Sequence, residues 1–210
     1  MSVCHIICAL ESKIDFKKGK NDLVIAADRG YFHCVNNNIK PDVVIGDFDS
    51  YNGEIDCDNI IRYPVKKDYT DSKLAVEYAI LKGYSTIHIY GAIGGHLDHT
   101  LANISLLAEY IKKNVKIVLF DGDEVIFAIS NSSVSFDKDA KGKVSVFSFT
   151  DSSYGVCESG LLYTLDDYTL NNSFALGVSN EFIGQNAKVS VKEGILLIHT
   201  PKENYLNHLT

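Results

Sequence analysis

Residues 86–113 read TIHIYGAIGGHLDHTLANISLLAEYIKK, and this stretch decides the fold. A short apolar run, Thr86–Tyr90, leads into a glycine-rich loop, and a helical pattern begins where the loop ends. Four apolar residues share one face of the helix that is predicted over 98–113: Leu101, Ile104, Ala108 and Ile111. Asp98 is well suited to cap the start of this helix. Strand, loop and helix in this order are the repeating unit of an α/β layer fold.

The same alternation of strand and helix runs through the first 122 residues. Five short apolar runs predict buried strands: 3–10, Leu23–Ala27, Val43–Gly46, Thr86–Tyr90 and 115–120. They lack strict polar alternation, as expected of a parallel sheet that is covered on both faces. A second helix is predicted over 71–82, with Leu74, Tyr78 and Leu81 on one face. We therefore predict a Rossmann-like, mostly parallel α/β domain over residues 1–122.

The pattern changes after residue 122, where helical periodicity disappears. Four strands are predicted, separated by clusters of Gly, Asn, Asp and Ser: 125–129, 143–149, 187–191 and 195–199. Polar and apolar residues alternate over 143–149, which is typical of a half-exposed antiparallel sheet. We predict a C-terminal antiparallel β-sandwich over residues 123–210.

Charge and hydropathy exclude several classes of protein. The chain of 210 residues has a formal net charge of -7, so it lacks the basic balance of a general nucleic-acid binder. An acidic chain can still bind a nucleotide, because a divalent cation bridges carboxylates to phosphates. No apolar run approaches the roughly 18 residues that a membrane span requires. The apolar run 3–10 also lacks the flanks of a signal peptide, so we expect no membrane association.

The five cysteines are scattered and form no Cys-x-x-Cys pair. This spacing predicts neither a disulfide framework nor a zinc site. We therefore expect a reducing compartment, the cytoplasm.

Two carboxylates follow the predicted strand Val43–Gly46. Asp47 and Asp49 are separated by one residue, and in extended backbone such residues face the same side. Carboxylates held that close repel each other, and a hard cation such as Mg²⁺ removes the repulsion. The alternative is a solvated turn, in which Asp and Ser are common.

Three other loops suit an anion such as phosphate. Lys66 and Lys67 precede the helix start at Thr70, where backbone N–H groups attract phosphate; solvated lysines and a simple helix cap are the alternatives. In the loop after Thr86–Tyr90, glycines let the backbone approach a ligand closely, although the spacing is neither a Walker A loop nor a dinucleotide fingerprint. Arg29 follows a third strand and would meet a phosphate or form a surface ion pair.

Histidines in the glycine loop invite a metal-binding interpretation. His96 and His99 are three residues apart, but no carboxylate partner accompanies them at a zinc-binding spacing. We therefore do not predict zinc there.

Taken in order, these blocks resemble the thiamine pyrophosphokinase family, in its bacterial type. Six segments carry the resemblance over nearly the whole chain: 27–30, 46–50, 67–71, 91–103, 160–163 and 177–182. The resemblance implies an α/β domain followed by a β-sandwich, in a homodimer with active sites between subunits. It also implies an ATP:thiamine diphosphotransferase, which moves a pyrophosphoryl group from ATP to the thiamine hydroxyl and releases AMP.

The family resemblance also assigns roles in the nucleotide site. It implies that Mg²⁺ is held against the ATP phosphates by Asp47, Asp49 and Asp71. The residues implied to lie along the nucleotide or line the same cleft are Asp28, Arg29, Lys67, Thr70, Gly94, Gly95, His96 and Asp98. One of the metal-binding aspartates, or Asp98, would accept the hydroxyl proton.

For thiamine, the resemblance implicates the segment Ser179, Asn180 and Glu181. Two features depart from the family pattern. Position 96 is histidine where the family usually has arginine, which puts a phosphate contact there in question. The chain has no Trp to stack on the vitamin, so Phe182 or a tyrosine would take that role.

Three other functions stay open at the level of sequence. A pyrophosphokinase acting on a pterin alcohol would use a similar fold. A metal-dependent phosphatase also uses Asp-x-Asp, but it would leave the Thr-Asp and Gly-Gly blocks without a role. A non-catalytic thiamine or nucleotide sensor would bind these ligands and form no AMP.

Overall fold

The computed structural model describes residues 2–48, 54–64 and 68–209. They fall into two compact units. Unit 1 contains the residues up to 106 together with 113–122, and unit 2 contains 107–112 together with the residues from 123 onward.

The sheet of unit 1 is entirely parallel. Its strands are β1 Cys4–Ile7, β2 Leu23–Ala27, β3 Val43–Gly46, β4 Ile60–Arg62, β5 Thr86–Tyr90 and β6 Lys116–Asp121. Their order in space is β6-β5-β1-β2-β3-β4, and every neighbouring pair is parallel. The predicted parallel α/β architecture is therefore confirmed. Strand β4 was not predicted, because three residues with exposed ends carry too little pattern.

Three helices belong to this α/β pattern: α1 Gly30–Asn36, α2 Asp71–Leu81 and α3 Leu97–Ile111. Helix α1 contributes Tyr31 and Cys34 to a buried cluster with Ile7, Val24 and Val44 from three adjacent strands. Helix α2 contacts β1, β2 and β3. The sheet is thereby covered by short helices, as its apolar strands require.

The buried faces of α2 and α3 differ from the predicted ones, although Ala108 of the predicted α3 face is buried. Helix α2 buries Ser72, Ala75, Val76 and Ala79, whereas the predicted contact Leu81 is 81% exposed. Small buried side chains let a helix lie close to a sheet, so the larger residues of α2 are turned toward solvent.

In α3 the buried positions are Asn103, Leu106, Leu107, Ala108 and Tyr110. The stripe is therefore rotated from the predicted one, since a polar asparagine occupies a buried position that hydropathy assigns to solvent. Asp98 lies one residue inside the helix instead of capping it, and its carboxylate accepts a hydrogen bond from His99 N at 2.8 Å. Within the described part of the chain, none of the helices combines the length and the hydropathy needed to cross a membrane.

Unit 2 is built from two antiparallel sheets. Its strands are β7 Glu124–Ser130, β8 Ser133–Phe136, β9 Lys143–Ser148, β10 Ser152–Ser159, β11 Leu165–Asn171, β12 Gly177–Glu181, β13 Ala187–Ser190 and β14 Ile195–Pro201, followed by helix α4 Lys202–Asn207. Strands β12, β9, β14 and β7 are neighbours in that order, and the other sheet runs β11-β10-β13-β8. This confirms the predicted antiparallel β-sandwich. The sequence did not indicate β8, β10, β11 or β12, whose residues are largely polar or exposed.

Two buried histidines lie in the sheet of unit 1. His5 stacks on Phe16 with ring centroids 3.7 Å apart, and His88 meets His5 edge-on at 5.6 Å and Phe120 at 5.0 Å. Burial, followed by the charge of His5, lowers the pKa of His88 to about 4. Burial also lowers the pKa of His5, against the opposing attraction of Asp22. Both imidazoles therefore favour the neutral form in the folded protein.

The low pKa of His88 predicts a loss of stability in mild acid. Since the unfolded chain takes up this proton near pH 6.5 and the folded chain only near pH 4, the contribution is complete above pH 6.5 and is lost as pH falls to 4. The loss amounts to about 3 kcal/mol. Urea unfolding from pH 4 to 7 should show a flatter stability profile for His88→Phe than for the wild type. The exposed His99→Phe serves as control, and an unchanged slope in His88→Phe contradicts the assignment.

Candidate active site

A cavity of about 270 Å³ opens in unit 1 where strands end and helices begin. Its walls come from residues 8–10 after β1, 27–29 at the end of β2, 70–72 at the start of α2, and from the glycine loop and the first turns of α3. Strands β1 and β5 are neighbours at the centre of the parallel strands. After β1 the chain continues to β2, toward one edge, whereas after β5 it continues to β6, on the other side of the pair. Such a switch point, at the carboxyl ends of parallel strands, is where open α/β sheets bind ligands.

The floor of the cavity depends on close contact between two strand ends. Cys8 N donates to Tyr90 O at 2.8 Å, and Leu10 N donates to Gly91 O at 3.2 Å. Gly91 has φ +68°, and a Cβ at this position would overlap the Leu10 carbonyl oxygen. Only glycine permits this approach, which brings the β1 and β5 loops together.

A relay of hydrogen bonds connects three walls of the cavity. The Ser72 hydroxyl donates to Asn103 Oδ1 at 2.6 Å, and Asn103 Nδ2 donates to the Ala92 carbonyl at 2.8 Å. Because the Ser72 proton is committed to Asn103, the Thr70 hydroxyl is the donor in its 3.0 Å contact with Ser72 Oγ. Thr70 also caps α2 by accepting from Lys73 N at 3.3 Å. The relay therefore fixes the start of α2, the body of α3 and the glycine loop relative to one another.

Thr100 anchors the glycine loop to the first turns of α3. Its hydroxyl accepts from Gly94 N at 3.0 Å and contacts Gly94 O at 3.0 Å and His96 O at 3.3 Å. His96 and His99 are exposed and lie at the cavity, with ring centroids 6.1 Å apart. The loop thus presents backbone and imidazole groups to the cavity.

Two carboxylates and one guanidinium provide charge at the cavity. Asp28 and Asp71 are half-buried, Arg29 is exposed, and all three line the cavity. Burial and, to a smaller extent, the Asp71 carboxylate raise the pKa of the Cys8 thiol to about 12. Cys8 is therefore an uncharged residue of the cavity wall. The side chains that bring charge to the cavity are the two aspartates and Arg29.

Six of the residues that sequence assigned to the nucleotide line this one cavity: Asp28, Arg29, Thr70, Asp71, Gly94 and His96. Gly95 and Asp98 are exposed in the same loop and helix start but are not among its lining residues. Asp49 and Lys67 lie outside the residues that the structure describes.

Asp47 follows the end of β3 beside the cavity strand β2. Asp28 N donates to Ile45 O at 2.7 Å, and the Gly46 backbone lies against the Asp28 Cα. The extended backbone assumed for the Asp-x-Asp pair is wrong, because Phe48 has φ +59° and turns its ring into the core. The alternation of a strand therefore stops at Gly46 and cannot set the direction of the next carboxylate.

The donor set of the cavity fits Mg²⁺. Among the described residues, no three His, Cys, Asp or Glu side chains come together as a metal cluster. Asp28 and Asp71 nevertheless bring two hard oxygen donors to the same cavity. Mg²⁺ is commonly held by one or two carboxylates together with substrate phosphates, so a closed protein cage is not needed.

Sequence reasoning missed Ser72 and Asn103 as site residues. Both are buried, at 8% and 7% exposure, and both line the cavity. Asn103 is the last residue of the family segment 91–103, and it is the polar residue on the buried face of α3. A buried polar side chain on an amphipathic helix is the signal that would have identified it.

A second cavity, of about 300 Å³, lies within unit 2. It is lined by Glu158, Tyr163, Leu165, Leu176, Gly177, Val178 and Asn180. Asn180 is thus the one member of the predicted thiamine segment at this cavity. Ser179 N donates to Ser145 Oγ at 3.0 Å, and Glu181 is exposed.

The predicted stacking residue Phe182 lies elsewhere in unit 2. Its ring is 7% exposed and meets Phe136 at 5.1 Å in the hydrophobic core. Tyr163, at 69% exposure, is the aromatic residue that the structure places at the cavity.

Comparisons with known proteins agree with both units. The sequence model "Thiamin pyrophosphokinase, catalytic domain" matches residues 17–119, and "Thiamin pyrophosphokinase, vitamin B1 binding domain" matches residues 131–196. The chain is 31% identical to the thiamine pyrophosphokinase of Bacillus subtilis (strain 168) over 186 residues, which are 85% of this chain and 87% of that protein.

Solved structures give the same result. The crystal structure of thiamine pyrophosphokinase from Bacillus subtilis has a TM-score of 0.84 at 25% identity, covering 95% of this chain and 98% of that chain. Thiamin pyrophosphokinase from Geobacillus thermodenitrificans shares the fold, with a TM-score of 0.82 at 24% identity over 95% of this chain and 97% of that chain.

The relay through Asn103 predicts a stability effect. Asn103→Ala removes the partners of the Ser72 hydroxyl and the Ala92 carbonyl, and leaving buried polar groups unpaired should destabilise the fold by about 3 kcal/mol. Urea unfolding followed by circular dichroism measures the change. Ser105→Ala on the exposed side of α3 is the matched control, expected within about 0.5 kcal/mol of wild type. If both variants unfold at the same urea concentration, the relay does not hold the cavity walls.

Proposed function

The chain belongs to the thiamine pyrophosphokinase family, and from that premise we propose that it transfers a pyrophosphoryl group from ATP to the hydroxyl of thiamine. The products are thiamine diphosphate and AMP. The family comparisons favour this function over the transfer to a pterin alcohol and over a non-catalytic sensor. The observation that carries the proposal is one cavity of unit 1, to which the end of β2 contributes Asp28 and Arg29 and the start of α2 contributes Asp71.

We place the ATP phosphates in the unit 1 cavity. The start of α2 supplies backbone N–H groups without helical partners, which suits an anion. Arg29 and His96 add donors from two separate segments of the wall. Asp71, with Asp47 and Asp49, would hold Mg²⁺ there, and Asp28 is a further oxygen donor at the same cavity. When bound there, Mg²⁺ would neutralise part of the negative charge of the phosphates.

In the proposed reaction, the thiamine hydroxyl attacks the β-phosphorus of ATP and AMP leaves. Transfer of this kind depends on holding the two reactants in line and on stabilising the charge of the phosphoryl group. The residues of this chain contribute a rigid frame through the Ser72–Asn103 relay, a cationic group at Arg29, and one carboxylate that accepts the hydroxyl proton. Neutral Cys8 forms part of the apolar wall and takes no part as nucleophile.

His96 stands where the family usually has arginine. A guanidinium is always charged and binds phosphate through two parallel N–H donors, a geometry that an imidazole cannot reproduce. In this chain we therefore assign the permanent positive charge of the described wall to Arg29, which sits directly after Asp28 at the end of β2.

We propose that thiamine occupies the unit 2 cavity. The residues matched by the vitamin B1 binding model, 131–196, include every residue that lines this cavity. Its walls combine apolar side chains with a carboxylate, which suits an aromatic, cationic ligand.

We further propose a homodimer with active sites completed between subunits, in the reducing cytoplasm. Unit 2 exposes many large apolar side chains: Tyr154, Leu162, Tyr163, Tyr168, Phe174, Leu176, Val178 and Ile183. Apolar surface at this density is typical of protein interaction sites. All five cysteines are free thiols, as in a reducing compartment.

The direct test mixes protein, ATP, Mg²⁺ and thiamine and measures AMP and thiamine diphosphate by chromatography. Asp71→Asn should fold normally but lose turnover by about a hundredfold or more, because it removes charge from the phosphate site. Glu77→Gln, on the exposed face of the same helix, is the control and should retain wild-type turnover.

Four outcomes contradict the proposal. Wild-type AMP release by Asp71→Asn removes that carboxylate from the site. Phosphate release without an acceptor indicates a phosphatase, and thiamine binding without AMP formation indicates a sensor. Faster transfer to hydroxymethyl-dihydropterin than to thiamine in one competition assay would assign the other acceptor.

A further inference from the structure

Asn180, at the unit 2 cavity, uses all of its hydrogen-bonding capacity within the protein. Its Oδ1 accepts from Tyr163 N at 3.0 Å and from Glu181 N at 2.9 Å. Its Nδ2 donates to Tyr163 O at 2.7 Å and to Glu158 Oε2 at 2.9 Å. Since an amide offers two donors and accepts through one oxygen, nothing remains for a ligand. Asn180 therefore positions other groups and does not itself bind the ligand.

The group that Asn180 positions is a buried carboxylate. Glu158 lies in β10 between β11 and β13, is 2% exposed, and lines the cavity. Its Oε2 is held by Asn180, whereas Oε1 is buried and has no hydrogen-bond partner among the described residues. One oxygen is thus fixed, and the other is an acceptor without a donor.

Such an arrangement is unfavourable in the empty protein. Burial raises the pKa of Glu158, and the hydrogen bond from Asn180 offsets part of the rise. None of the residues described at this cavity carries a cationic side chain that could pair with the carboxylate. Buried polar groups without partners are rare in native proteins and call for an explanation such as a ligand.

We propose that Glu158 Oε1 accepts a hydrogen bond from the exocyclic amino group of the aminopyrimidine ring of thiamine. The inference rests on the proposed function, which supplies the ligand. Thiamine carries two ring systems, and only the aminopyrimidine ring has N–H donors. The thiazolium nitrogen is alkylated and donates nothing, and the hydroxyl is the reacting group.

The rest of the cavity fits a flat heteroaromatic ring. Leu165, Leu176 and Val178 provide apolar walls, and Tyr163 presents an exposed aromatic side chain. Because Oε1 is shielded from solvent, a ring that reaches it must displace part of the cavity wall. Glu158 then determines specificity for the amine, and Asn180 holds its carboxylate in place.

The test compares thiamine with oxythiamine, in which a carbonyl oxygen replaces the amino group. Calorimetry with the full chain, Mg²⁺ and a non-cleavable α,β-methylene analogue of ATP measures both affinities. Wild type should bind thiamine about tenfold to a hundredfold more tightly than oxythiamine, because a carboxylate facing a carbonyl oxygen is left without a donor. This comparison needs no variant, so it does not depend on how a substitution folds.

The variant Glu158→Gln tests the role of the carboxylate with the same two ligands. Its amide oxygen can accept from Asn180, which turns the new NH₂ group toward the ligand. Thiamine affinity should fall by about tenfold or more, and the preference for thiamine over oxythiamine should vanish or reverse. Glu193→Gln, an exposed carboxylate in the same unit, should keep the wild-type preference. Thermal unfolding confirms that each variant is folded.

The possible failures are distinguishable. If wild type binds neither thiamine nor oxythiamine, the proposed function fails and the inference falls with it. If wild type binds both equally, or if Glu158→Gln keeps the preference for thiamine, the role of Glu158 is overturned while the proposed function stands.

Discussion

The approach of the β1 and β5 strand ends is the constraint on which the site in unit 1 depends. Gly91 lets its backbone lie against the Leu10 carbonyl, and a side chain at this position would separate the two loops. The space above that contact is the cavity at the topological switch point. Asn103 then connects the start of α2 to the glycine loop through Ser72 and Ala92. These contacts fix the start of α2, which carries Asp71, relative to the glycine loop.

Unit 2 uses its polar residues in a different way. Asn180 belongs to a segment that sequence linked to thiamine, yet its amide is occupied by the Tyr163 backbone and by Glu158. A residue in a ligand-binding segment can therefore act by positioning another side chain and need not contact the ligand itself. The group left available to a ligand is Glu158, on another strand. Under the proposed function, the charged groups at the phosphates and the residues that recognise thiamine belong to separate cavities, each lined by residues of one unit.

Much of the fold could be predicted, because buried parallel strands carry a strong hydropathy signal. The strands Leu23–Ala27, Val43–Gly46 and Thr86–Tyr90 were predicted with the bounds that the structure gives them. The buried face of α2 could not be predicted, because Ala75 and Ala79 are less hydrophobic than Leu81 and give a weaker hydropathy signal. Strands of unit 2 such as β11 and β12 have mostly exposed residues and escape detection for the same reason.

The loops that form the candidate site could be predicted from the sequence, but the directions of their side chains could not. Asp28 and Asp71 were assigned to the nucleotide site by the family resemblance, and both line the cavity. That Asp47 and Asp49 face the same side could not be derived from their spacing, because the left-handed φ of Phe48 breaks the extended backbone on which the inference relied. Glu158 resembles an ordinary surface residue in a mostly polar strand. Only its burial and its single partner reveal it.

The central claim is that aspartates at the unit 1 cavity hold a cation against a triphosphate. The most direct measurement is a crystal structure with α,β-methylene ATP and Mn²⁺, in which anomalous scattering locates the metal. The account predicts a metal peak that contacts Asp71 and the phosphates within the cavity between Cys8 and Asn103. A nucleotide bound outside that cavity, or a metal that touches none of the aspartates, would contradict it.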